Sequence, residues 1–313
     1  MKTCIVFGAG GFIGINLSKY LINKGYSVIG VSSKINKYIK LSFSKYIIAD
    51  LKNIDEVRQC IPENIDEIYQ LASTTSSCNN KENNSADLMN DELQINMNIL
   101  KVVVEKKVHK IFFASSYSVY PANIPINGSW SEIDAYPANP DTEHGWRKIL
   151  CEKLYSTYKE QYGLNVRIAR FHTIYGPYGD YEGVTQKSIN ALCNKIYNAE
   201  EYIDIIGDGT NQRQFLYIDD WINAVMKIMN SEYSQPINIS SDKSYTLNEI
   251  ILKLCIISGK TIKINYIYGN QTAKSKIGNI VFLKNVLHWK QSIDIDEGLM
   301  KTYDWIINVK SPS

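Results

Sequence analysis

Through the first half of the chain, short apolar runs alternate with stretches in which apolar residues recur every three or four positions. Residues 4–7 are apolar and end in glycines. Residues 13–23 then set Ile13, Leu17 and Leu21 on one helical face. Gly25 closes that helix, and residues 26–31 read as a second strand. Further strand-like runs are 46–48, 67–69, 110–114 and 165–169, with helix-like stretches 93–104 and 148–162 between the last three. Strands alternating with helices in this way predict βαβ units and an α/β fold, a doubly wound, mostly parallel sheet of Rossmann type.

After Arg170 the pattern loosens. Tyr175-Gly176-Pro177 and Gly207-Asp208-Gly209 mark turns, 190–197 reads as a helix, and 237–239 reads as a last strand returning to the sheet. Residues 247–258 and 298–309 read as helices of a smaller C-terminal α/β lobe, and the polar stretch 79–85 as a connecting loop. The predicted division is a first domain of 1–172, rejoined by 215–240, and a second of 173–214 with 241–313.

Composition narrows the function classes. With 313 residues, 44% apolar and 21% charged, the chain is long enough for a sizeable core without a disulfide or metal staple. Its 34 basic and 32 acidic residues leave +2, too balanced for a nucleic-acid or anionic-membrane footprint. No run approaches the ~20 apolar residues of a membrane helix. The apolar start of the chain is broken by glycine, unlike a signal peptide. Six scattered cysteines without a C-x-x-C pair, and only four histidines, point to a reducing cytoplasm and to no metal site.

Gly8-Ala9-Gly10-Gly11-Phe12-Ile13-Gly14 stands between the first strand and the first helix. Glycines there permit a tight turn and bring backbone N–H groups close to a pyrophosphate at the helix N-terminus, which points to a dinucleotide. The second strand ends in Val31-Ser32-Ser33-Lys34, without the carboxylate that clamps an adenosine ribose. Ser33 and Lys34 suit the 2′-phosphate of NADP, and an unclamped NAD suits the sequence equally. Asp50 and Leu51, after the third strand, are placed to reach the adenine.

These residues carry a family resemblance. The glycine array, Gln70-Leu71-Ala72-Ser73 and Ser115-Ser116-Tyr117-Ser118-Val119-Tyr120 resemble the extended short-chain dehydrogenase/reductases. So do His144-Gly145-x-x-Lys148-x-x-x-Glu152, Arg170-Phe171-x-x-Ile174-Tyr175-Gly176-Pro177 and Gly207-Asp208-Gly209-x-x-x-Arg213-x-Phe215. Within that family the wording of 132–138, 170–179 and 236–242 is most similar to the GDP-mannose 3,5-epimerase branch. The resemblance implies an NAD(P)-dependent enzyme that epimerises a nucleotide-diphosphate sugar, a GDP-sugar above others, through a transient keto intermediate. Two rival readings are an NADPH-dependent 4-keto-sugar reductase and a catalytically silent nucleotide-sugar binder.

The resemblance also assigns roles. Gly8, Gly11, Phe12, Ile13, Gly14, Ser32, Ser33, Lys34, Asp50, Leu51, Leu71, Ala72 and Lys148 would hold the cofactor. Ser116, Tyr117, Ser118, His172, Lys187 and Arg213 would meet the substrate, with Arg213 on its diphosphate or in a surface ion pair, and His172 on the substrate, on the cofactor or satisfied as a partly buried histidine. Ser116, Ser118, His144, Lys148 and Lys187 form the catalytic set. Ser118 stands where that branch keeps a cysteine, and Lys187 where it keeps a second lysine. The family's general base is a tyrosine four residues before the lysine, and here that position is His144. Imidazole can carry a proton near neutral pH, although a neighbouring Lys148 cation would lower its pKa. Acid/base work, positioning and lost catalysis are all open to it. A second Y-x-x-x-K, at Tyr155 and Lys159, reads as ordinary helix. The resemblance further implies a homodimer paired through helices 93–104 and 148–162.

Overall fold

The computed structural model describes residues 1–36, 38, 41–74, 85–123, 128–182, 189–267 and 277–311. Lys187 and residues 79–84 of the predicted polar loop lie outside them. The chain runs β1 (Thr3–Phe7), α1 (Phe12–Asn23), β2 (Ser27–Ser32), β3 (Lys45–Ile48), α2 (Ile54–Cys60), β4 (Glu67–Gln70) and α3 (Ser85–Glu105). Then come β5 (Lys110–Ala114), α4 (Glu143–Tyr162), β6 (Asn165–Phe171), β7 (Thr173–Tyr175), α5 (Ile189–Asn198), β8 (Tyr202–Ile206), β9 (Gln212–Tyr217) and α6 (Ile218–Asn230). The last elements are β10 (Ile237–Ile239), β11 (Ser244–Thr246), α7 (Leu247–Ser258), β12 (Lys263–Ile267), α8 (Val281–Leu287) and α9 (Ile295–Lys310).

Seven strands form one sheet in the order β10-β6-β5-β4-β1-β2-β3, and every pairing is parallel. Alternate residues of each inner strand feed opposite cores. Val6, Tyr69 and Phe112 pack with Leu17 of α1 and Trp221 of α6 on one face. Ile5, Ile68 and Phe113 pack with Ile99 of α3 and Tyr155 of α4 on the other. A sheet sealed on both faces is the physical reason its strands read as unbroken apolar runs. Chain order reverses about β1, which lies between β2 and β4 and so opens a crevice at the carboxyl ends of β1 and β4.

The predicted strands and helices of the first half are all present. α3 starts at Ser85 and α4 at Glu143, earlier than their apolar periodicity suggests, because their first turns are polar. The predicted return of 237–239 is β10, at the sheet edge beside β6. α6 is absent from the predicted elements, although its Trp221, Val225 and Ile228 follow helical spacing and are buried. Its Trp221 ring meets Phe112 and Phe171 edge-on, at 6.1 and 5.2 Å between centroids. Two small sheets complete the fold, β11-β9-β7 and β12-β8. Strands this short carry almost no periodic signal. None of the described residues form a helix long and apolar enough to cross a membrane.

Candidate active site

The turn between β1 and α1 is built around glycine. Gly8 has φ of +81°, and a Cβ there would stand 2.8 Å from the backbone N of Ala72. A Cβ at Gly14 would fall 2.1 Å from the carbonyl oxygen of Gly8. Only bare backbone lets the helix start this close to the strand. Gly11 caps α1 without a side-chain hydrogen bond, and no acidic residue occupies the first turn. The N–H groups there are therefore available to an anion, as a dinucleotide pyrophosphate requires.

Gly8, Gly11, Phe12, Ile13, Gly14 and Leu71 line one side of a cleft of about 390 Å³, and Ser116, His144, Lys148 and His172 line the other. Two further close approaches place that second wall. Thr142 caps α4 by accepting from the N–H of Gly145. A Cβ at Gly145 would lie 2.1 Å from the carbonyl of Ser118, so α4 begins directly against the turn 117–119. Behind it, Arg170 donates to both oxygens of the buried Glu152, whose Oε1 also accepts from Ser115 Oγ. This ties the end of β5 to α4 and β6.

Ser116 Oγ accepts from the backbone N of Ser118 and donates to Ser118 Oγ at 3.2 Å. Lys148 Nζ donates to Glu92 Oε1 at 2.8 Å, both side chains being almost fully enclosed. Glu92 Oε2 accepts from Ser73 Oγ, Thr74 N and Thr74 Oγ1. Burial alone would raise the Glu92 pKa, but the Lys148 charge and these hydrogen bonds outweigh it and hold the carboxyl at about 2. His144 moves the other way. Burial, then the Lys148 and Arg147 charges, lower it to about 4 against the pull of Glu92, so the ring is neutral at neutral pH. The expected influence of Lys148 is present, and desolvation exceeds it.

Of the other sequence-predicted residues, Tyr117, Ser118, Leu51, Asp50, Ser32, Ser33, Lys34, Ala72 and Arg213 lie off the lining of this cleft. The Tyr117 ring is wholly buried beside Tyr120 and under Gly278. Leu51 is also buried, in the core beneath β2 and β3. Asp50 is exposed and accepts from Lys52 N. Ser32 Oγ donates to the carbonyl of Lys34 and stands 2.7 Å from the Tyr46 hydroxyl, while Ser33 and Lys34 are exposed. Ala72 is partly exposed behind Gly8. Arg213 is half-buried in β9, two residues before the Phe215–Thr173 pairing, and burial lowers its pKa. His172 Nδ1 lies 2.6 Å from Thr173 Oγ1. Tyr155 is sealed in the core, stacked on Phe113 with its hydroxyl donating to Asn96, consistent with ordinary helix.

Glu92, Arg147, Ser73 and Thr74 belong to the site's polar network, and of these only Ser73 stands in a quoted sequence motif. A glutamate inside a polar helical turn looks like a solvated face until the fold encloses it.

The model of the NAD dependent epimerase/dehydratase family matches residues 4–240, about three quarters of the chain. The chain belongs to that family. This NAD-dependent epimerase/dehydratase family member is 28% identical over 305 residues to GDP-mannose 3,5-epimerase 1 of Oryza sativa subsp. indica, covering 96% of this chain and 80% of the relative. It is equally 28% identical, over 316 residues, to UDP-glucuronate 4-epimerase of Thermodesulfobacterium geofontis, covering 96% and 95%. Its fold matches UDP-glucose 4-epimerase of Thermotoga maritima, solved with UDP-glucose, at a TM-score of 0.90 and 22% identity over 99% of this chain and 100% of that one. Members of that family are NAD-dependent enzymes, and this chain is one of them.

Proposed function

We propose that this enzyme epimerises a nucleotide-diphosphate sugar through a transient keto sugar, with a GDP-sugar as the favoured substrate. The observation carrying the reading is one cleft that joins a glycine-built, uncapped helix N-terminus to Ser116, His144 and Lys148. The near full-length similarity to a GDP-mannose 3,5-epimerase and a UDP-glucuronate 4-epimerase supports the reaction class.

The dinucleotide is NAD, held by Gly8, Gly11, Phe12, Ile13, Gly14 and Leu71, with Lys148 toward the nicotinamide ribose. Bound there, NAD would supply a reversible hydride acceptor for a sugar carbon. The chain's own groups do the rest. Ser116 orients the reacting hydroxyl, His144 meets the same oxygen, and Arg213 engages the diphosphate through its fork of donors. Carbon-bound hydrogens beside the keto group become acidic, and Ser118, Lys187 or water exchanges them. Residues 173–214 and 241–313 form the substrate lobe over the dinucleotide-binding domain. The enzyme works in the reducing cytoplasm as a homodimer paired through α3 and α4, where Met97 and Leu150 are exposed at 42% and 41%.

The test is incubation of the purified protein with GDP-, UDP-, dTDP- and CDP-sugars in heavy water, followed by product mass. A gain of one deuterium per exchanged carbon, with no net consumption of NAD, is the expected result. Consumption of NADPH by a 4-keto substrate, with no deuterium uptake, would replace epimerisation by reduction.

A further inference from the structure

Arg147 occupies the position before Lys148, and its guanidinium is buried against His144. Arg147 Nη2 stands 3.3 Å from His144 Nδ1. A guanidinium has donors and no acceptor, so Nδ1 supplies the lone pair and the ring proton sits on Nε2. We infer that Arg147 is a positioning residue that fixes His144 in the Nε2–H tautomer, so that His144 meets the reacting sugar oxygen as a hydrogen-bond donor. That the oxygen belongs to a sugar rests on the function proposed above; the tautomer does not.

Arg147 is itself held. Its Nη1 donates to Thr74 Oγ1 at 2.6 Å, with the carbonyls of Thr74 and Leu88 at 3.4 and 3.5 Å. Thr74 Oγ1 donates on to Glu92 Oε2 at 3.0 Å, and the other oxygen of Glu92 holds Lys148. One hydrogen-bonded chain therefore runs from His144 through Arg147, Thr74 and Glu92 to Lys148, linking the two residues four apart on α4 by a route through α3. Lys148 and Arg147 from α4 and Glu92 from α3 are the charged groups acting on the ring, and with burial they leave it neutral.

The chemical consequence separates histidine from the tyrosine it replaces. A phenolate takes a proton on the oxygen that faces the substrate. An imidazole protonated on Nε2 has no lone pair there, and acceptance at Nδ1 would require Arg147 to leave. His144 thus polarises the carbonyl of the keto sugar through Nε2–H, and as the carbon-bound hydride passes to the oxidised dinucleotide the hydroxyl proton passes to solvent water.

Long-range proton–nitrogen NMR on the full chain, labelled with 15N-histidine, reads the tautomer directly. Four histidines give a tractable spectrum, and His144→Gln identifies the resonances of position 144. The expected result at pH 7 is an unprotonated Nδ1 and a protonated Nε2. An Nδ1–H tautomer, or an even mixture, overturns the proposal. In Arg147→Gln the Nδ1 resonance should move toward the protonated range and the titration midpoint of His144 should rise; an unchanged spectrum also overturns it. If Arg147→Gln does not fold, Arg147→Met, which keeps the apolar stem and removes both charge and donors, supplies the same comparison, and the unmutated protein decides the tautomer without either. Failure of every nucleotide sugar to turn over would overturn the proposed function and leave this result standing.

Discussion

Lys148 Nζ lies 2.8 Å from Glu92 Oε1, and neither side chain is more than 6% exposed. An ammonium and a carboxylate enclosed together lose their hydration and recover it only through each other and their remaining hydrogen bonds. Glu92 recovers it from Lys148, Ser73 and Thr74. Lys148 has three donors, and Glu92 takes one of them, so the pair fixes the lysine at the cleft wall without exhausting it.

Glu92→Gln should therefore cost about 3–5 kcal/mol of stability, because it strands a buried ammonium. The folded pKa of Glu92 lies below its unfolded value of about 4.3. Its contribution is complete above that value and is lost as pH falls toward 2. Urea unfolding of both proteins between pH 7 and 2.5 checks this: the gap should narrow as pH drops, and a constant gap would refute the pairing as its source.

His144 stays neutral down to about pH 4, so deuterium exchange should show no break near 6.5 and should fall as pH approaches 4. A free histidine breaks near 6.5. The unfolded chain takes this proton first, so the His144 contribution to stability also declines as pH falls from 6.5 to 4. The pH–rate profile of His144→Tyr should lose the break near 4.

Gly145→Ala places a methyl where the Ser118 carbonyl stands 2.1 Å away. Overpacking of this kind costs about 1–3 kcal/mol. Since relief requires α4 to move from the turn 117–119, exchange activity should fall more than thermal stability suggests. Parallel unfolding and activity measurements decide it, and an unaffected rate would show that the approach does not position the site.

The choice of dinucleotide is testable at Lys34, which is exposed beyond β2. Lys34→Ala should leave NAD binding unchanged and weaken whatever NADP binding exists. Calorimetry with both cofactors checks this, and NADP binding tighter than NAD in the unmutated protein would overturn the assignment.

Charging the exposed α3–α4 face with Met97→Glu and Leu150→Glu should convert the proposed homodimer to a monomer. Sedimentation velocity reads the outcome; an unmutated protein that sediments as a monomer removes the proposal.

The hydrophobic pattern alone determined the parallel α/β sheet, down to the late return of 237–239, because strands buried on both faces must be apolar throughout. The glycine turn was legible from its place between a strand and a helix, while Ser116, His144 and Lys148 were singled out by the family resemblance and not by the pattern. Only the tertiary structure decided what surrounds them. Glu92 reaches Lys148 and Thr74 reaches Arg147 from segments more than fifty residues away, and no local pattern encodes that meeting. The same is true of Tyr117, whose motif position suggests substrate contact and whose ring is wholly buried. Charge and proton placement at His144 follow from burial and from Arg147 across one helical turn, and burial is a property of the folded chain.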